Sequence, residues 1–305
     1  MSNVKNYLSL IKFSHTIFAM PFALLGFVMG VFYLRHDSMM DNTSGLSVIT
    51  TYFKGNGMIF VYIVGCMVFA RSAAMAFNRY LDREFDAKNP RTAIREIPKG
   101  LISATSALRF TMLNAILFVG SAYMINITCF LLSPVALLVI LGYSYTKRFT
   151  SLCHVVLGIG LSLAPAGAFI AVTQTIDRAV VFLSLSVVGW VAGFDIIYSL
   201  QDDEFDASQG LWSMPSAVGR KKALLFSRIL HGITVSFLFM AGISFGFNVL
   251  YTVGAFLFTG LLIYQQSIVK HNDLSKVNIA FMTSNGIASI VFSLFAIADL
   301  ILFKI

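Results

Sequence analysis

GMIFVYIVGCMVFARSAAMAFNRYLDREFD, residues 57–86, decides the fold. From Gly57 to Asn78 the stretch is apolar apart from one cation, Arg71, and then Arg79, Asp82, Arg83, Glu84 and Asp86 arrive together. A helix needs about 20 apolar residues to cross the hydrocarbon core of a bilayer. The stretch therefore reads as a membrane span that ends in an ionic cluster at one surface.

The rest of the chain supports that reading. Hydrophobic residues make up 57% of the 305 residues and charged residues only 12%, whereas soluble domains run near 45–50% and about 25%. So few charges cannot cover a water-facing surface, and the apolar excess must face lipid. Cys66, Cys129 and Cys153 lie in apolar runs without paired spacing, which argues against a disulfide framework or a Cys/His metal site. The first apolar run extends too far for a signal-peptide core, and none is expected. The net charge of +8 is spread over short loops, a pattern of membrane orientation and not of nucleic-acid binding.

Nine spans are expected, at 13–34, 57–80, 104–125, 127–146, 154–174, 180–200, 222–245, 248–268 and 279–303. The third and fourth divide at a tight turn near Asn126. One side collects Lys5, Lys12, Arg79, Arg83, Lys88, Arg91, Arg95, Lys99, Lys147, Arg148, Arg220, Lys221, Lys222, Arg228, Lys270 and Lys276. The other holds Arg35, Lys54, Arg178 and Lys304, with Arg71 and Arg109 inside spans. The excess of basic residues puts the N-terminus in the cytoplasm and the C-terminus outside. Nothing resembles a soluble domain or a flexible linker, so residues 1–305 read as a single transmembrane domain.

That domain carries an internal repeat. Asp82, Glu84, Phe85, Asp86 and Ala87 recur as Asp202, Glu204, Phe205, Asp206 and Ala207. Segments 78–87 and 198–207 both close an even-numbered span, so two acidic clusters should open toward the same membrane face.

Asn78, Asp82 and Asp86 are spaced to share one helical face, about 6 Å apart per four-residue step. Asp195, Tyr198, Asp202 and Asp206 share another. Carboxylates stacked at a bilayer edge repel one another and are costly unless they are paired or bind ions. They are either solvated loop carboxylates after a helix end or ligands of a hard divalent cation. Two matched copies favour the second, and Mg²⁺ suits oxygen ligands that share it with phosphate. Lys147 and Arg148 end the fourth span on the same side, as membrane anchors or as partners for a diphosphate. Arg71, inside a span, needs an anion: either a salt bridge to Asp195 or a substrate.

These segments resemble the UbiA superfamily of intramembrane prenyltransferases, and its 4-hydroxybenzoate polyprenyltransferase-like members in particular. NRYLDREFD is similar to the family's first aspartate motif, N-x-x-x-D-x-x-x-D, and DIIYSLQDDEFD to its second, D-x-x-Y-x-x-x-D-x-x-x-D. Arg71, the Y-x-x-x-K-R-x-T run of Tyr143, Lys147, Arg148 and Thr150, and YQQSIVKHNDLSKVNIAFMTSNG at 264–286 extend the likeness. The resemblance implies an all-α, nine-helix bundle around a central cavity, with the motifs at its cytoplasmic mouth. It implies Asn78, Asp82, Asp86, Asp202 and Asp206 as ligands of Mg²⁺, and Lys147 and Arg148 as the charges that neutralise a leaving diphosphate.

The implied reaction joins a polyprenyl diphosphate to an aromatic acid, 4-hydroxybenzoate or a dihydroxynaphthoate, in quinone biosynthesis at a bacterial inner membrane. Other acceptors of the family are haem, chlorophyllides and lipids. An allylic C–O bond ionises when the departing diphosphate is stabilised by cations in a site that excludes water. Asp195 is the candidate base for the acceptor proton, and Tyr198 and Asn78 border the substrate. A cation-coupled transporter would explain the acidic pairs but not Lys147 and Arg148, and its site would lie nearer the midplane. A membrane scaffold would make the carboxylates dispensable.

Overall fold

A computed structural model describes residues 2–11, 19–37 and 44–303. In chain order the helices are α1 (Ser2–Leu10), α2 (Met20–Asp37), α3 (Gly45–Leu81), α4 (Arg83–Lys88), α5 (Ala104–Ile125), α6 (Ile127–Thr146) and α7 (Cys153–Thr173). There follow α8 (Arg178–Ser199), α9 (Asp203–Ser208), α10 (Met214–Val218), α11 (Arg220–Phe245) and α12 (Val249–Ile268). A π-helical turn, Ile279–Ser284, runs directly into α13 (Asn285–Phe303). The only β pairing among the described residues is an isolated bridge between Lys270 and Asp273.

Among the described residues eight helices are long and apolar enough to cross a membrane: α3, α5, α6, α7, α8, α11, α12 and the continuous Ile279–Phe303. Met20–Arg35 forms a shorter apolar helix. The protein is therefore an all-α, multi-pass integral membrane protein. Lys12, Lys304 and the start of the span expected at 13–34 lie outside the described residues.

Local chemistry sets most helix ends. Ser103 caps α5 by accepting from the Ser106 amide at 3.1 Å, and Asp177 caps α8 by accepting from Ala179 at 2.7 Å. Asn126 makes the tight turn between α5 and α6 in extended backbone. Its side chain accepts from Cys129 N at 2.8 Å and donates to Ala171 O at 3.1 Å, which ties the turn to α7. The span expected at 57–80 is too short: α3 begins at Gly45. The helix passes through Gly55, Asn56 and Gly57, all poor helix formers, with a kink at Asn56 (φ −129°, ψ 18°).

Packing follows the membrane rule that small residues bring backbones together. A Cβ on Gly26 of α2 would run into the Pro165 carbonyl of α7, and one on Gly158 of α7 into the Val188 carbonyl of α8. Around α8 the core is aromatic: the Trp190 ring lies 5.2 Å from Phe22 and 5.6 Å from Phe258, and Phe22 lies 5.8 Å from Phe292. The indole N–H of Trp190 donates to Asn285 Oδ1 at 2.9 Å, so the one polar atom of that cluster is satisfied. Large side chains on the opposite faces, such as Leu138 and Ile243, are exposed and meet lipid.

Asp299 of α13 is fully buried and serves as a cap in trans. It accepts from the amides of Asn248, Leu250 and Tyr251 at 2.7, 2.9 and 3.1 Å, at the start of α12. These are orphan donors of a helix N-terminus, where a carboxylate also meets the positive end of the helix dipole. Asp299→Leu is expected to cost about 3 kcal/mol or more, because buried amides lose their acceptor, and Asp299→Asn less. Thermal unfolding in detergent measures both; equal midpoints for the two variants and wild type would remove the cap from the account.

Candidate active site

Both acidic motifs are broken helices. The expectation that Asn78, Asp82 and Asp86 share one continuous helical face is corrected, because α3 stops at Leu81, Asp82 takes φ −89° and ψ 5°, and α4 begins at Arg83. The second motif breaks at the matching residue: α8 stops at Ser199, Asp202 takes φ −117° and ψ 5°, and α9 begins at Asp203. Each Asp holds an N-cap position, and neither side chain makes a capping bond. Both carboxylates thus remain available to partners other than their own helix.

Asp82 is buried, and its partners come from two elements. Lys147 Nζ lies 3.8 Å from Oδ2, Arg148 Nη2 lies 3.2 Å from Oδ1, and Asn78 Nδ2 donates to Oδ2 at 3.2 Å. Arg148 also donates to the Leu81 carbonyl at 3.0 Å, which closes the broken end of α3. Burial raises the Asp82 pKa, against the opposing pull of Lys147 and Arg148. Asp86 accepts from Arg95 Nη1 at 2.6 Å, while its Oδ2 is buried without a hydrogen-bond partner.

Asp202 is held by the segment that follows the first motif. Arg91 donates Nε to Oδ1 at 2.8 Å and Nη2 to Oδ2, and Asn89 Nδ2 donates to Oδ1 at 3.0 Å. Burial alone would raise the Asp202 pKa, but the Arg91 fork outweighs it and holds the carboxyl low. Arg91 Nη1 also donates to the Tyr198 hydroxyl at 3.0 Å. Tyr198 in turn stacks on Phe281 of the π-helical turn, with ring centroids 4.1 Å apart. Asp206 is buried and its pKa raised for that reason.

Lys147 links the two halves. Besides its contact with Asp82 it acts electrostatically on both Asp202 and Asp206. The backbone repeats the link, since Trp212 N, just after the second motif, donates to the Lys147 carbonyl at 2.6 Å. Among the described residues no three Asp, Glu, His or Cys side chains converge as a ready-made metal site. The donor set nevertheless fits Mg²⁺, which binds through one or two carboxylates, keeps several waters and shares phosphate oxygens. Burial raises the Asp82 and Asp206 pKa despite the cations near them, and Asp86 Oδ2 has no partner.

Deeper in the protein, α3, α5, α6 and α7 line a partly open apolar cavity of about 320 Å³, with Ile63, Cys66, Cys129 and Ala164 in its wall. Arg71 and Tyr143 line it as well. The salt bridge from Arg71 to Asp195 is not formed. Asp195 Oδ2 lies 2.7 Å from His154 Nδ1, and Arg71 Nε is buried without a hydrogen-bond partner.

Four groups of this site escaped the sequence reading: Asn89, Arg91, Arg95 and His154. Arg91 and Arg95 entered only as orientation charges. The signal that could have found them is a run of cations, N-P-R-T-A-I-R, directly behind a carboxylate motif. His154 was legible as an ionisable residue at the start of an otherwise apolar span.

Residues 43–287 match the UbiA prenyltransferase family. The chain is 30% identical over 236 residues to the 4-hydroxybenzoate octaprenyltransferase of Tolumonas auensis, which covers 77% of this chain and 82% of that protein. Its fold is similar to that of a UbiA homolog from Aeropyrum pernix K1, with a TM-score of 0.73 at 27% identity over 93% of this chain and 96% of the other. A UbiA homolog from Archaeoglobus fulgidus, solved bound to DMAPP and Mg²⁺, shares the fold at a TM-score of 0.69 and 19% identity, over 97% of this chain and 99% of that one.

Proposed function

The chain belongs to the UbiA prenyltransferase family, and from that membership we propose that it transfers a polyprenyl group from a polyprenyl diphosphate to an aromatic acid. The acceptor is 4-hydroxybenzoate or a dihydroxynaphthoate, Mg²⁺ is required, and the product enters quinone biosynthesis. The observation that carries this reading is Lys147, one ammonium that acts on Asp82, Asp202 and Asp206 and so gathers both motifs around one place. A cation at that place, an apolar cavity and an unpaired Arg71 suit a molecule with an anionic head and an apolar tail. A transporter has no use for that combination.

Each group has a role in the proposed reaction. Asn78, Asp82, Asp86, Asp202 and Asp206 would hold Mg²⁺, which would supply positive charge to neutralise the diphosphate. Lys147 and Arg148 leave Asp82 for the diphosphate oxygens as negative charge develops on the leaving group. Arg91 holds Asp202 and Tyr198 in place beside it. The cavity wall keeps water from the allylic cation, and Tyr143 presents a ring to it. Arg71 orients the acceptor carboxylate, and Asp195 accepts the ring proton. Purified protein given Mg²⁺, a polyprenyl diphosphate and each acceptor is expected to yield the prenylated acid. No transfer to either acceptor would overturn the assignment.

The same reading sets the placement. Residues 1–305 form one domain with nine spans, the ninth being the one to which α2 belongs, and the site opens to the cytoplasmic side of a bacterial inner membrane. A reporter fused after Ile305 is then expected outside the cytoplasm, and one inserted in the 88–100 segment inside. A cytoplasmic C-terminus would remove one span from the count.

A further inference from the structure

Asp195 and His154 form a pair whose protons the surrounding bonds assign. His154 stands in the first turn of α7 with 3% of its side chain exposed, and Asp195 stands on α8 with 24% exposed. The Met214 amide donates to His154 Nε2 at 3.1 Å. An amide N–H only donates, so Nε2 carries a lone pair and not a proton. The ring's proton is therefore on Nδ1, 2.7 Å from Asp195 Oδ2, where it donates. An imidazolium would set N–H against N–H at Met214. The bonds thus describe a neutral histidine that donates from Nδ1 to Asp195 Oδ2.

The segment that fixes His154 is itself fixed. Met214 opens α10, whose capping box joins Ser213 and Ser216 through bonds of 2.8 and 3.3 Å. One residue earlier, Trp212 N holds the Lys147 carbonyl at 2.6 Å. The turn after the second aspartate motif therefore sets the histidine ring and the lysine of the diphosphate site together. Asp195 also lies within electrostatic reach of Tyr143, which lines the apolar cavity.

We propose that His154 is a positioning residue for proton removal from the acceptor: by donating from Nδ1 to Asp195 Oδ2, it holds the aspartate ionised and turns Oδ1 toward the acceptor. The inference rests on the prenyl transfer proposed above. In the step it serves, the new C–C bond has formed and the diphosphate has left with the electron pair of the allylic C–O bond. The C–H bond at the substituted ring carbon then breaks, its electron pair restores the aromatic ring, and the proton goes to Asp195 Oδ1. His154 keeps its own proton throughout, because its second nitrogen is occupied by Met214 N–H. A glutamine amide carries a donor and an acceptor at a separation close to that of the two ring nitrogens, so it can satisfy both partners, whereas leucine satisfies neither.

The test compares wild type, His154→Gln and His154→Leu with Mg²⁺, polyprenyl diphosphate and ring-deuterated 4-hydroxybenzoate or dihydroxynaphthoate. His154→Leu is expected to lower kcat by about 10- to 100-fold, the scale of a misplaced catalytic group, with donor KM little changed. It should also expose a primary deuterium isotope effect absent from wild type, because proton removal becomes slow. His154→Gln should recover most of kcat and lose that isotope effect. A Leu variant with wild-type kcat, or Leu and Gln variants equally impaired without an isotope effect, would overturn the role. Should the Leu variant fail to fold, ¹⁵N-histidine spectra of wild type against His154→Gln decide, since a His154 ring protonated at Nε2 overturns the assignment and one protonated at Nδ1 alone supports it. Wild type that prenylates neither acceptor is a separate result, seen before any substitution, and it removes the proposed function and this role together.

Discussion

Asp82→Ala and Asp202→Ala are each expected to lower prenyl transfer by at least ~100-fold, the scale of losing one charge-stabilising group in a water-excluded site. EDTA should abolish activity in wild type and Mg²⁺ restore it. The two broken helices leave both carboxylates free of capping bonds. Asp82 is buried, and Lys147, Arg148 and the Asn78 amide keep its charge tolerable. Removing the carboxylate leaves Lys147 and Arg148 close together without their shared partner, so the variants should also bind diphosphate differently from wild type. The two substitutions should not be additive, because Lys147 couples them. Full activity in metal-free protein would sink the mechanism.

Arg71→Lys is expected to raise the acceptor KM by roughly 10- to 100-fold and the donor KM by much less. Arg71 lines the cavity, and its Nε is buried without a partner. A buried guanidinium with an unmet donor is costly, and a carboxylate that accepts two parallel hydrogen bonds would meet it. Bonds of that charge-assisted kind contribute roughly 1.5–3 kcal/mol, which sets the expected range. Lysine keeps the charge but lacks the planar fork. The diphosphate already has Lys147 and Arg148, so the deeper cation is free for the second anion. Steady-state kinetics with each substrate varied in turn provide the measurement. An unchanged acceptor KM with a weakened donor would reassign Arg71 to the diphosphate, and lower thermal stability with unchanged kinetics would leave it a packing residue.

The membrane class, most span positions and the two aspartate motifs were legible because each depends on residues near in sequence. Apolar runs of spanning length, a cap at Asn126 and carboxylates at four-residue spacing are local patterns. The start of α3 was missed because Gly55, Asn56 and Gly57 have poor helix propensity, yet the helix runs through them, exposed at Gly55 and Asn56, with only a kink at Asn56.

What the sequence determined by itself was which groups could be charged and which segments must lie in lipid: Asp82, Asp86, Asp202 and Asp206 at span ends, and Arg71 within one. What only the tertiary structure decided was the pairing of those groups. Arg91 reaches Asp202, Arg95 turns back to Asp86, and His154, in place of Arg71, takes Asp195. The physical reason is that a charge carries no address in sequence. In a low-dielectric interior every ionic group seeks a counter-charge, and several candidates satisfied that need equally on paper. The choice fell to geometry: the breaks at Asp82 and at residues 200–202 leave each carboxylate without a capping bond and open to cations from other segments, and the packing of α7 on α8 brings His154 to Asp195.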